Sequence, residues 1–225
     1  MTDLVEAAAR QAIVDAARRL EALGLNRATA GNIGLRNGDG LLVTPSGVAP
    51  GALQPGHIVI LDGEGALAEG RPGQLVPTSE WRLHVAVLAA RADVEAVVHT
   101  HSPEATALAC LGLPLPAIHY VVARSGGPIV PCAPYATYGS AELAANVVAA
   151  LGSGGACLMA NHGLLTVGPS LQVALELAAE LEWLAGIHRR AAALGAALGR
   201  PLVMLPDDEM ARVAELLGTY GQASR

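Results

Sequence analysis

Two histidines stand one residue apart in His99-Thr100-His101, at the end of the apolar run Val94-Glu95-Ala96-Val97-Val98, and a third follows in Asn161-His162-Gly163. On a strand, residues i and i+2 project from one face, so a pair at that spacing can hold a single ion without bending the backbone. A third imidazole on a turn would complete a three-nitrogen site and leave one coordination position open. Catalytic zinc is held in that way, whereas structural zinc is usually closed by four protein ligands. The spacing predicts a metal site at His99, His101 and His162; a lone histidine would read instead as an ordinary polar residue at a strand end.

A base able to work beside such a metal must be a carboxylate or histidine within hydrogen-bond reach, often with a raised pKa. Glu80 meets that need in type and is expected in the first turn of a helix starting near Pro77-Thr78-Ser79-Glu80, where its plain role would be to offset the helix dipole. Tyr120, and Tyr220 in Gly218-Thr219-Tyr220-Gly221, are candidate proton donors, or else amphipathic packing residues. Three polar turns could receive an anion: Thr29-Ala30-Gly31-Asn32, Thr44-Pro45-Ser46-Gly47, and Thr78-Ser79 at the helix start. Each offers hydroxyl, amide or backbone N–H donors, and a helix N-terminus favours phosphate even without lysine. Taken singly, each is equally well an ordinary turn or cap.

Composition narrows the chemistry further. All 14 basic residues are arginine, so a lysine Schiff base, a lysine-anchored pyridoxal phosphate and a Walker-type phosphate lysine are excluded. Carbanion chemistry would then need a metal as its electron sink. A net charge of -6 without a basic stripe disfavours a nucleic-acid partner. Cys110, Cys132 and Cys157 are odd in number and form no C-x-x-C element, which points to reduced thiols. The opening residues lack a signal-peptide pattern, and no run of about 18 apolar residues follows, so a soluble, cytoplasmic protein without a membrane partner is expected.

The elements that must carry these residues are readable from periodicity and punctuation. Helices are expected over Leu4 to Leu23, stopping at Gly24, from Pro77 to about Arg91, after Ser102, from Ser140 to Leu151, from Ser170 to about Leu194, and from Asp207 to Leu217. Strands are expected at 41–44, 58–61, 94–101, 157–159 and 164–167, with a further apolar stretch at 117–122. With 225 residues, 52% of them hydrophobic, and no linker or repeat, the chain reads as one layered α/β domain over 1–225.

Together these residues resemble the zinc-dependent class II aldolase/adducin family, and within it the L-fuculose-1-phosphate aldolases. The likeness runs along nearly the whole chain. It rests on Gly24-Leu25-Asn26 with Thr29-Ala30-Gly31-Asn32, on Thr44-Pro45-Ser46-Gly47, on Ser79-Glu80-Trp81-Arg82, and on Ala96-Val97-Val98-His99-Thr100-His101. It continues through Pro116-Ala117-Ile118-His119-Tyr120, Pro131-Cys132-Ala133-Pro134-Tyr135-Ala136-Thr137, His162-Gly163-Leu164 and Thr219-Tyr220-Gly221. The resemblance implies a three-layer α/β/α fold with a mixed, largely antiparallel sheet. It implies one Zn2+ per subunit on His99, His101 and His162, with Glu80 as acid/base and as an added metal ligand when substrate is absent. Asn32, Ser46, Gly47, Thr78 and Ser79 would hold a substrate phosphate, and Tyr120 and Tyr220 would serve a neighbouring subunit's site in a homotetramer. Thr78 in place of a serine and Ser46 in place of a threonine keep the hydroxyls. The implied reaction is reversible cleavage of L-fuculose 1-phosphate, or a similar ketose 1-phosphate, to dihydroxyacetone phosphate and a short aldehyde such as L-lactaldehyde. Rival activities on the same scaffold are ribulose-5-phosphate 4-epimerase, rhamnulose-1-phosphate aldolase and methylthioribulose-1-phosphate dehydratase. A non-catalytic, adducin-like interaction module is the remote alternative, disfavoured by the intact histidines and Glu80.

Overall fold

The structure is a computed structural model and describes residues 3–68 and 73–218, so Tyr220 lies outside the described residues. Its centre is a seven-stranded sheet formed by β1 (Asn32–Asn37), β2 (Gly40–Val43), β3 (Val59–Leu61), β4 (Ala96–Thr100), β5 (Cys132–Ala133), β6 (Ala156–Met159) and β7 (Gly163–Gly168), in the order β3-β2-β1-β4-β7-β6-β5. Every neighbouring pair is antiparallel except β5 and β6. The expected mixed, largely antiparallel sheet is present, with β4 and its histidine near the middle.

Side chains alternate across the strands into two separate cores, which is what a sheet covered on both faces requires. On one face Ile33, Leu42, Val98 and Leu158 pack with residues of α1 (Asp3–Ala22), α3 (Pro103–Ala109) and α5 (Leu171–Leu198), and α6 (Asp207–Gly218) joins them through Met210 and Val213. On the other face Leu41, Val43, Val97 and Leu165 meet α2 (Trp81–Ala90) and α4 (Ala141–Leu151). Helix ends follow the local chemistry. Ser140 and Ser170 accept the backbone N–H of Leu143 and Val173, and α1 closes at Gly24, whose φ of 73° lets Leu25 N–H reach back to Leu20 O.

Two strands have no clear period in the sequence. Within β1, Gly34 interrupts the apolar alternation because the His84 ring occupies the place of a side chain: a Cβ on Gly34 would lie 2.4 Å from His84 Nδ1. Arg36 puts a charge in the same strand, yet its guanidinium reaches the open end of α2, donating to Leu88 O and Arg91 O at 2.9 Å each. The very short β5 sits between Pro131 and Pro134. The expected strand at 94–101 is confined to Ala96–Thr100, and the apolar stretch near 117–122 forms a 3-10 turn at Tyr120–Ser125. Among the described residues, no helix is long and apolar enough to cross a membrane.

Candidate metal centre

His99 lies in β4, fully buried, with Asn32 of β1 and Leu165 of β7 as its cross-strand neighbours. Its Nδ1 is 3.0 Å from Leu164 O. A carbonyl oxygen only accepts, so Nδ1 carries the hydrogen and Nε2 keeps its lone pair for the site. His101 stands one residue beyond the strand, where the side chain of Asn26 holds its backbone: His101 N–H donates to Asn26 Oδ1 at 3.0 Å. His162 comes from the turn joining β6 to β7, in which Asn161 takes a φ of 55° and donates its N–H to Ala109 O at 3.0 Å. Gly163 lets that turn come close, since a Cβ there would lie 2.2 Å from Thr100 O and 3.2 Å from His99 Cε1. Three elements thereby bring the imidazoles together edge to edge, with ring centroids 4.8, 4.8 and 5.1 Å apart.

Glu80 is the residue before α2 and not part of its first turn. Thr78 N–H donates to Thr44 O at 3.0 Å, and Thr78 Oγ1 accepts from Glu80 N–H at 3.3 Å, which pins the approach to the helix. The Glu80 side chain makes no capping bond and faces the histidines. Its Oε2 lies 2.9 Å from Asn32 Nδ2 and 3.3 Å from His99 Nε2, while Oε1 lies 3.3 Å from His162 Nε2. Oε1 is buried without a hydrogen bond.

The four candidate ligand atoms of Glu80, His99, His101 and His162 all fall within 4.8 Å of one another, and His99 and His101 bring their Nε2 atoms to 3.0 Å. Two donors that each bind a tetrahedral zinc at about 2.0–2.1 Å stand about 3.3–3.4 Å apart. The separations, the buried unsatisfied carboxylate oxygen and the bare Nε2 of His99 all fit a divalent metal.

Burial, with the neighbouring His99, pushes His101 and His162 down to about 4, so both are neutral and ligand-ready at neutral pH. For Glu80, burial pushes the carboxyl up, but the hydrogen bond and charge that His99 offers once protonated, the charge of protonated His162 and the Asn32 amide outweigh it. The net result lies well below the usual carboxylate range. The raised pKa expected of a resting general base is absent here.

A cavity of about 420 Å³ opens beside these groups, and Asn32, Glu80, His101 and His162 line it. Ser46, Gly47, Thr78 and Ser79 line it too. The two turns meet because segment 44–46 runs antiparallel to 76–78, through Ser46 N–H to Val76 O at 2.9 Å and a bridge between Pro45 and Pro77. Every residue expected to hold a phosphate thus lines the cavity beside the candidate ligands, although the Asn32 side-chain amide is already engaged with Glu80 and His84. Tyr120 does not line it: half exposed, it stacks on His119 with centroids 4.7 Å apart. Asn26 and Tyr135 stand in the runs that carry the family resemblance but have no role read from the sequence, and His84 and Tyr138 fall outside those runs; Tyr135 and Tyr138 line the cavity from the loop after β5. For His84 the available signal was a polar side chain one turn after Glu80, on the apolar face that Leu83, Val87 and Leu88 form.

Residues 11–188 match the family described as Class II Aldolase and Adducin N-terminal domain. A protein of Rhodospirillum rubrum named 5-methylthioribulose-1-phosphate/5-deoxyribulose-1-phosphate aldolase is 49% identical over 214 residues, covering 95% of this chain and 93% of that one. An L-fuculose phosphate aldolase of Escherichia coli is 44% identical over 213 residues, covering 95% of each. A solved structure of an L-fuculose 1-phosphate aldolase matches with a TM-score of 0.86 at 36% identity, covering 93% of this chain and 95% of that one.

Proposed function

The chain belongs to the class II aldolase and adducin family, and on that premise we propose that it reversibly cleaves a ketose 1-phosphate to dihydroxyacetone phosphate and a short aldehyde. The observation that carries this reading is the cavity itself, where a buried carboxylate with one unsatisfied oxygen faces three histidines beside two hydroxyl-bearing turns. The substrates named for the two relatives, a fucose-derived and a ribose-derived ketose phosphate, have in common a far end without a terminal hydroxyl. L-Fuculose 1-phosphate, 5-deoxyribulose 1-phosphate and 5-methylthioribulose 1-phosphate therefore define the substrate class. The aldehydes released would be L-lactaldehyde, acetaldehyde and methylthioacetaldehyde respectively.

Ser46, Gly47, Thr78 and Ser79, with the backbone at Asn32, hold the phosphate by hydroxyl and N–H donors, since among the described residues neither lysine nor arginine lines the cavity. His99, His101 and His162 would hold a divalent metal, which we assign as zinc from the donor types and which would supply Lewis acidity toward the ketose oxygens. In cleavage, the C4 hydroxyl loses its proton, the C3–C4 pair moves toward the C2 carbonyl, and Glu80 gives C3 its proton. In the metal-free protein His99 and His162 outweigh burial and hold the Glu80 carboxyl low; a general acid needs a higher value, which substrate oxygens entering between the histidines and the carboxylate would favour. Tyr120 handles the proton on the aldehyde oxygen. Its exposed position, apart from its own chain's cavity, supports a homotetramer in which it and Tyr220 serve a neighbouring subunit. Three free cysteines suit the reducing cytoplasm.

A coupled assay for dihydroxyacetone phosphate on the three ketose 1-phosphates, with metal quantified in the same sample, tests this reading. Release of dihydroxyacetone phosphate that chelation abolishes and zinc restores is the expected result. Epimerised or dehydrated product without it would overturn the aldolase reading.

A further inference from the structure

Behind Glu80 lies a second layer of side chains that the proposed chemistry does not use. His84 is fully buried in α2, one turn after Glu80, and its Nε2 is 2.6 Å from Asn32 Oδ1. The Asn32 amide in turn donates from Nδ2 to Glu80 Oε2 at 2.9 Å. Every proton in this relay can be placed. An ionised carboxylate only accepts, so Asn32 must turn its nitrogen toward Glu80 and its oxygen toward His84. His84 Nε2 must then be the donor, and Nδ1 is left bare. Nδ1 is indeed buried and without a hydrogen-bond partner, and its ring packs so close to Gly34 that no side chain fits between them. An imidazole with one orphaned nitrogen costs stability that an apolar residue on this face of α2 would not.

We propose that His84 is a positioning residue which, through Asn32, fixes the rotamer of the Glu80 carboxylate so that Oε2 is held and Oε1 is left free for the substrate. Without a donor at position 84, Asn32 Oδ1 is left buried and unpaired, and the amide is held at one end only, by Glu80 itself. An amide anchored at one end swings with the carboxylate, and the geometry in which Oε2 is held and Oε1 is the unbonded oxygen is lost. This inference rests on the reading of Glu80 as the acid/base group.

The test uses the full chain, loaded with zinc and metal-free, in two arms. Long-range proton–nitrogen NMR on protein labelled with 15N-histidine should show His84 protonated at Nε2 and bare at Nδ1, its signals identified by their loss in His84→Gln. Protonation at Nδ1 would overturn the proposal, and this arm needs no substrate, so it stands even where the aldolase reading fails. In the kinetic arm, His84→Leu should lower kcat about 10- to 100-fold, the usual effect of removing a group that orients a site residue. Its KM and zinc content should stay unchanged. His84→Gln, which offers an amide donor at a similar reach, should recover most of kcat, and His84→Leu should cost little further in an Asn32→Ala background. Equal impairment of the Leu and Gln variants, or full kcat in His84→Leu, would overturn the proposal.

Discussion

The two sides of the cavity are built on opposite plans. On the side of the candidate ligands, three of the four groups are fixed by another: His99 by Leu164 O, the His101 backbone by Asn26, and Glu80 by Asn32. On the side of the turns, Ser46, Gly47 and Ser79 are exposed, and their donors are hydroxyls and backbone N–H groups carried by loops. A ligand's geometry tolerates little error, so that side spends buried polar contacts on order. An anion can be held by several interchangeable donors. Losses should therefore be steep and specific on the first side, and shallow and shared on the second.

The largest effect is expected from the ligands. His101→Ala leaves His99 and His162 unable to close a three-nitrogen site, and the purified variant should hold no zinc and show no turnover. Metal analysis showing a full zinc complement in that variant would remove His101 from the ligand set. Glu80→Gln comes next. It keeps the shape but cannot shuttle a proton, so kcat should fall about 10²- to 10⁴-fold, while binding of inorganic phosphate is unchanged. Normal turnover would end the acid/base role.

How much of this arrangement could be read from the chain depends on how local its causes are. The histidine pair was legible because ligand type and an i, i+2 spacing at a strand end are properties of three adjacent residues, although β4 stops at Thr100 and His101 is held beyond it by Asn26. Helix ends at Gly24, Ser140 and Ser170 were legible for the same reason. β1 was not, because Gly34 makes sense only once His84 lies over it, and Arg36 only once the end of α2 is beside it. Glu80 was expected inside the helix. It stands just before it because Thr78 is tied to Thr44, a contact between distant segments. The turns at 44–47 and 78–79 were readable as polar turns, but their meeting in one cavity depends on that same pairing.

A third prediction sets titration on one side against its absence on the other. His84 is pushed down to about 4 by burial, as are His101 and His162, against an ordinary value of 6.5. The unfolded chain therefore takes up protons below pH 6.5 that the folded, metal-free protein refuses, and stability falls as pH drops from 6.5 to 4. Fully buried His84 alone contributes a slope of up to about 1.4 kcal/mol per pH unit. Exposed His101 adds less. Urea unfolding of metal-free protein at several pH values should show this slope, made shallower by about one proton in His84→Gln; a flat profile between pH 6.5 and 4 would contradict a buried, neutral His84.

The smallest effect is expected on the turn side, where Ser46, Gly47, Thr78 and Ser79 include no titratable side chain. Ser79→Ala removes one exposed hydroxyl from the cavity but leaves the backbone, which Gly139 allows to pack closely: a Cβ on Gly139 would lie 2.6 Å from Ser79 O. One net hydrogen bond contributes about 0.5–1.5 kcal/mol, or about a two- to tenfold change in binding. KM for a ketose 1-phosphate and the inhibition constant of inorganic phosphate should rise together by that factor, with kcat and zinc content unchanged. If Ser79→Ala lowered kcat as far as Glu80→Gln does, the hydroxyl would be serving the reacting carbons, and the contrast between an exact side and a forgiving side would fail.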